Sequence, residues 1–145
     1  MSKVSTYLNF PGTTEEAFNF YKSVFGTEFS GSITRMGDVP PQEGQPALAE
    51  EDKQKVMHVA LPILGGHMLM GTDAVESMGF KLVMGNNAYI NLEPDTRAET
   101  ERLFNALSDG GIIEMPLQEM FWGDYYGSFK DKFGMCWMLN CASKE

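Results

Sequence analysis

Apolar and polar positions change period along this chain, and the changes mark out its elements. Ala17, Phe20, Tyr21, Val24 and Phe25 stand at i, i+3, i+4, i+7 and i+8, the stripe of an amphipathic helix. Thr13-Thr14-Glu15-Glu16 ahead of it reads as a capping box with Thr13 as the cap, and Gly26 reads as the stop. A second stripe carries the same punctuation: Thr96-Arg97-Ala98-Glu99, then Leu103, Phe104, Ala106 and Leu107, then Gly110-Gly111. Between and after the helices the pattern turns β-like, over 28–36, 55–64 and 67–72 in the first half and over 111–117, 125–130 and 135–141 in the second.

The two halves are copies. Sliding the chain over itself lays Tyr7-Leu8-Asn9-Phe10 on Tyr89-Ile90-Asn91-Leu92, and without a gap the apolar positions of the two helices then coincide. A second echo lays Gly66-His67-Met68-Leu69-Met70 on Gly134-Met135-Cys136-Trp137-Met138. The offset between the echoes changes because the first half carries an insertion from Gly37 to Gln54, rich in Pro, Gly and acid, which reads as a mobile excursion between strands. The expected architecture is α+β: two βαβββ modules, about 1–73 and 88–145, joined through 74–87, in one domain spanning 1–145. Each module is too small to bury both faces of its sheet, so the modules pack on each other or on a second copy. A curved mixed sheet built this way offers a trough to a small ligand.

Charge narrows the partners. Lys plus Arg number 11 against 20 Asp plus Glu, a net −9, which repels nucleic-acid backbones and anionic lipid. No apolar run approaches a membrane span and the first residues lack the apolar core of a signal peptide, so a cytoplasmic location is expected. Cys136 and Cys141 are spaced to face opposite sides of one strand, which disfavours a disulfide between them.

Several segments together resemble a known family: Tyr7-Leu8-Asn9-Phe10, the run from Glu15 to Gly26, Met57-His58-Val59-Ala60-Leu61, Met68 to Asp73, Phe121 to Gly127, Asp131 to Gly134, and Trp137. Nearly the whole chain is similar to the PhnB-like branch of the vicinal oxygen chelate superfamily, which includes glyoxalases, bleomycin-resistance proteins and extradiol dioxygenases. The resemblance implies paired βαβββ modules, usually in a homodimer; activities across that superfamily differ too widely for the fold to choose one. Metal-dependent members hold a divalent ion through His, Glu or Gln at four strand positions, which carry over to Ser5, Met70, Tyr89 and Met138. Two thioethers, a hydroxyl and a phenol make a poor donor set for such an ion, so no metal and no other cofactor is expected. Members of the branch are also labelled demethylubiquinone methyltransferases; the Gly65-Gly66 and Gly110-Gly111 pairs lie at hairpin or post-helix turns instead of a nucleotide-binding strand-to-helix turn.

Candidate site residues follow from chemistry and repetition. Tyr7, Asn9, Tyr89 and Asn91 recur at matching places two residues apart, so each pair shares a strand face and either lines the trough, with Met70 and Met138 as adaptable apolar lining, or forms a polar layer satisfied within a dimer interface. Trp122 with Asp124, Tyr125 and Tyr126 forms an aromatic cluster around one carboxylate, suited to capping an organic ligand. Asp124 and Tyr125 are the candidate acid and base. His58 is the candidate catalytic imidazole, able to converge with His67 and Asp73. The reading is a small-molecule-binding protein for an apolar or aromatic ligand, against a metal-dependent or acid/base lyase, isomerase or dioxygenase of the same superfamily.

Overall fold

The repeat is realised as two units of the same topology in the computed structural model, which describes every residue except Pro46: Met1–Val83 and Met84–Glu145. In the first, β1 (Thr6–Phe10), α1 (Thr14–Phe25), β2 (Thr34–Arg35), β3 (Val56–Pro62) and β4 (Met68–Asp73) form a sheet of order β1-β4-β3-β2. In the second, β5 (Ile90–Leu92), α2 (Arg97–Ser108), β6 (Ile112–Glu119), β7 (Tyr125–Lys130) and β8 (Cys136–Cys141) form the order β5-β8-β7-β6. Each sheet is mixed: the first strand runs parallel to the last, and the other pairings are antiparallel. Among the described residues no helix is long and apolar enough to cross a membrane.

One face of each sheet carries its helix and the core. In the first unit Phe10, Phe18, Tyr21, Leu61 and Leu69 are fully buried, with Phe18 edge-on to both Phe10 and Tyr21. Burial of each such side chain stabilises by roughly 1.5–3 kcal/mol. The closeness of helix to sheet depends on Gly71 of β4: a Cβ there would lie 2.6 Å from Phe18 Cε1. The second unit repeats the device, Gly127 of β7 leaving room for Phe104, which packs edge-on at 5.0 Å against Phe129. Trp137, Leu103 and Leu107 complete that core.

Several expectations change in detail. The first helix buries Phe18 rather than Phe20. Thr13 flanks that helix but its side chain makes no capping bond; the carboxylate of Asp73 takes the role, Oδ1 accepting from Thr14 N (3.0 Å) and Thr14 Oγ1 (2.7 Å). In the second helix Thr96 does cap, Oγ1 accepting from Glu99 N at 3.1 Å. The strand expected over 28–36 shrinks to Thr34–Arg35: Gly31 turns the chain out of the extended region at φ +82°, and ahead of it Ser30 N makes a bond to β3, at Ala60 O. The expected pairing of echoes is also corrected. Register sets Asn9 opposite Thr72 but Asn91 opposite Met138, so counting from the repeated asparagines the counterpart of Met138 is Thr72, not Met70. A slip of two residues leaves every side chain on its own face, so the hydrophobic pattern carries no trace of it.

The edge strand β6 is long, with Ile112 and Ile113 exposed, and is broken by Pro116 and by two shifts of register against β7.

Candidate functional site

The sheet faces opposite the helices hold most of the repeated polar residues. In the first unit alternation puts Tyr7, Asn9, His58, Ala60, Met70 and Thr72 on this open face, while Phe10, Val59, Leu61 and Leu69 point to the helix. Tyr7 lies beside Met70, which lies beside Ala60, and the phenol reaches diagonally so that Tyr7 Oη is 3.1 Å from His58 Nδ1 with the rings 5.8 Å apart. Burial raises the Tyr7 phenol above its usual value, so at neutral pH it stays a proton donor. A phenol donating to Nδ1 would hold the imidazole in the tautomer whose proton is on Nε2.

His58 does not converge with His67 and Asp73. His67 Nε2 bonds Thr6 Oγ1 at 2.8 Å at the start of β1. Asp73 is buried, and beyond its bonds to Thr14 its Oδ2 accepts from Val56 N at 2.8 Å, so it ties α1 to β3 and β4. Among the described residues no group of three or more His, Cys, Asp or Glu is arranged to hold a metal ion.

The second unit presents Tyr126, Ser128, Lys130, Cys136, Met138 and Asn140 on its open face, with Asn91 beside Met138. Tyr89 donates from its phenol to Glu114 Oε1 at 2.8 Å, and that bond leads the causes that push its pKa up to about 12. Cys136, whose thiol burial pushes upward, is within the electrostatic reach of Tyr89 and Glu114. In the metal-free protein it therefore stays a protonated thiol at neutral pH. Taken one by one, Ser5, Met70 (or Thr72 by register), Tyr89 and Met138 offer hydroxyls, thioethers and a phenol, donors that do not suit a hard or borderline divalent ion.

The aromatic cluster is divided. Asp124 and Tyr125 adjoin in sequence but diverge in space: Asp124 Oδ2 accepts from Asn140 Nδ2 at 2.8 Å, whereas Tyr125 turns to the helix side. There its phenol donates to Glu101 Oε1 at 2.9 Å beneath the Arg97 guanidinium, and burial, then Glu101, raises its pKa. The structure does not bring the two together as an acid and base. Trp122 stands on the β6–β7 hairpin turn, half exposed and edge-on to Phe121 at 4.8 Å. Glu114 and the Tyr7–His58 contact were not singled out from sequence; the first is one of many exposed glutamates, and the second joins strands that register alone brings within a diagonal.

A family model described as 3-demethylubiquinone-9 3-methyltransferase matches residues 2–140. Protein YjdN of Escherichia coli strain K12 is 30% identical over 152 residues, spanning 98% of this chain and 97% of its own. Protein PA1353 from Pseudomonas aeruginosa superposes with a TM-score of 0.83 at 35% identity, covering 97% of this chain and 98% of that one. A PhnB protein from Bacillus cereus superposes at 0.74 with 29% identity, covering 97% and 100%. A glyoxalase/bleomycin resistance protein/dioxygenase family enzyme from Burkholderia phytofirmans shares the fold at a TM-score of 0.61 and 18% identity, over 95% and 98% of the two chains.

Proposed function

Because the chain belongs to the 3-demethylubiquinone-9 3-methyltransferase family, in the PhnB-like branch of the glyoxalase/bleomycin resistance/dioxygenase superfamily, we propose that it binds a small apolar or aromatic molecule on the open sheet faces, as a homodimer and without a metal ion. The observation that carries this reading is the first unit's open face, where Tyr7 and His58 supply an oriented polar pair beside Met70, with Asn9 on the same face. An organic ligand with one or two polar atoms suits such a surface: the thioether and rings take its apolar body, and the phenol–imidazole pair fixes its orientation. The donor chemistry at Ser5, Met70, Tyr89 and Met138 speaks against a glyoxalase-type ion.

Methyl transfer from a nucleoside cofactor has no support in the helix starts. The N-terminus of α1, where an anion would sit in a nucleotide-binding unit, is taken by the Asp73 carboxylate, and that of α2 by Thr96. A second reading rests on the same pair: with Tyr7 holding Nδ1, His58 would act through Nε2 as a general acid or base in a lyase or isomerase. Screening an aromatic and apolar compound library by melting temperature, followed by product analysis of each hit, separates the two. A stabilising compound recovered unchanged supports binding, and consumption that fails in His58→Ala supports catalysis. Native mass spectrometry of untagged protein finding about one transition ion per site would overturn the metal-free reading.

A further inference from the structure

Away from the open face, Met36, Val39, Leu48, Met57 and Met78 wall a cavity of about 630 Å3 within the first unit. Tyr7, Asn9, His58 and Met70 contribute nothing to it. Its volume falls in the ordinary range for small-molecule sites, roughly 300–1,000 Å3. The walls come from segments far apart in sequence, and both ends of the 37–54 excursion that supplies most of them are pinned. Arg35 sends both terminal nitrogens to the Glu15 carboxylate of α1, at 3.0 and 2.9 Å, and a further bond to Gln54 O. Asp38 Oδ2 accepts from Arg35 N, while Met36 N and Gly37 N bond the carbonyls of Lys55 and Lys53. Gly37 permits that approach, since a Cβ there would stand 3.0 Å from Lys53 Cβ. Buried Asp52 joins Lys55 Nζ to the Ser77 hydroxyl, both at 2.8 Å, and so fixes the turn that carries Met78.

The lining is unusual for this chain. Against a net charge of −9 the lining contains, among the described residues, one cation, Lys53, and no carboxylate. Lys53 pairs at 2.6 Å with Glu50, whose side chain is 89% exposed, an ion pair of the kind that exchanges at little cost. The five apolar wall residues are left partly exposed, Met78 the most at 52%, so an apolar body filling the space would remove them from water.

We propose that this cavity is a second small-molecule site, taking a compact aromatic or branched aliphatic carboxylic acid whose body lies among Met36, Met57 and Met78 and whose carboxylate replaces Glu50 on Lys53. The three methionines also report on it. In protein labelled with 13C at the methionine methyls, titration with 1-naphthoate moves the Met36, Met57 and Met78 signals together along one saturating curve, independent of any movement at Met70 or Met138 on the open faces. Leu48→Glu, which sets a like charge in the wall, removes the response. Lys53→Gln weakens 1-naphthoate about three- to fivefold, the worth of one exposed ion pair, and leaves 1-naphthalenemethanol unchanged. Three motionless methyls, or movement at Met70 alone, overturns the site. Equal naphthoate affinity in Lys53→Gln overturns the carboxylic-acid assignment. Shifts of the same three methyls on concentrating the protein without probe assign the cavity to a second copy of the chain and overturn the proposal.

Discussion

The first and second units share an order of strands and a way of seating a helix on a glycine, yet they solve their polar problems differently. At the start of α1 the exposed backbone donors are met by Asp73, from the far end of β4; at the start of α2 they are met by Thr96, next in the chain. The repeated tyrosines differ as well. Tyr7 faces an imidazole, which both gives and takes a proton, and Tyr89 faces a carboxylate, which at neutral pH only accepts. Apolar packing follows the repeat because any residue of suitable size fills the same space, whereas a hydrogen bond needs one particular partner at one distance. The repeated architecture therefore says where an open sheet face lies and little about what each half does with it.

The sharpest break in this comparison is Asp73→Ala. It orphans the donors of Thr14 and Val56, three bonds in all, and at about 1 kcal/mol each costs about 3 kcal/mol in urea denaturation. A loss below about 1 kcal/mol would mean that α1 is held by its apolar face alone. Next come the two helix-seating glycines. Gly71→Ala and Gly127→Ala each overpack by about 1–3 kcal/mol, and Gly127→Ala is the costlier, because its Cβ meets the Met115 carbonyl at 3.0 Å as well as a ring, while Gly71 meets only side chains. Melting temperatures in the opposite order would show that the second sheet gives way more easily than the first.

Thr96→Ala then costs about 1 kcal/mol and Thr13→Ala under about 0.5 kcal/mol, since only Thr96 makes a capping bond. Equal costs would erase the contrast between the two helix starts. The smallest effect is spectroscopic. Absorbance at 295 nm finds Tyr89 titrating near 12, and Glu114→Gln returns it toward the ordinary phenol value near 10. The raised value means that the folded state favours the protonated phenol, so this contribution to stability is complete below about pH 10 and fades as pH climbs toward 12.

Much of the scaffold was legible in the chain because periodicity is additive over many residues: both helices, the β-α-β-β-β order and strand β7 over 125–130 follow from it. Single polar partners were not. Nothing local distinguishes Thr13 from Thr96 as a cap, since the difference lies in a carboxylate arriving from Asp73, near the other end of the unit. The divergence of Asp124 from Tyr125 was available, because neighbours where a strand begins point to opposite faces. The Tyr7–His58 contact was not, for it depends on a diagonal across three strands. The expected excursion over 37–54 is pinned at its base by Arg35, Asp38 and Asp52, each bonded to a partner that composition could not identify.

Strand β6 ends its sheet with eight residues and two bare isoleucines, a surface on which foreign strands could stack without limit. Pro116 removes one amide from that row, and the two offsets against β7 bend the remainder out of line. That edge of β6 is left without a long run of evenly spaced donors and is a poorer template for strand addition.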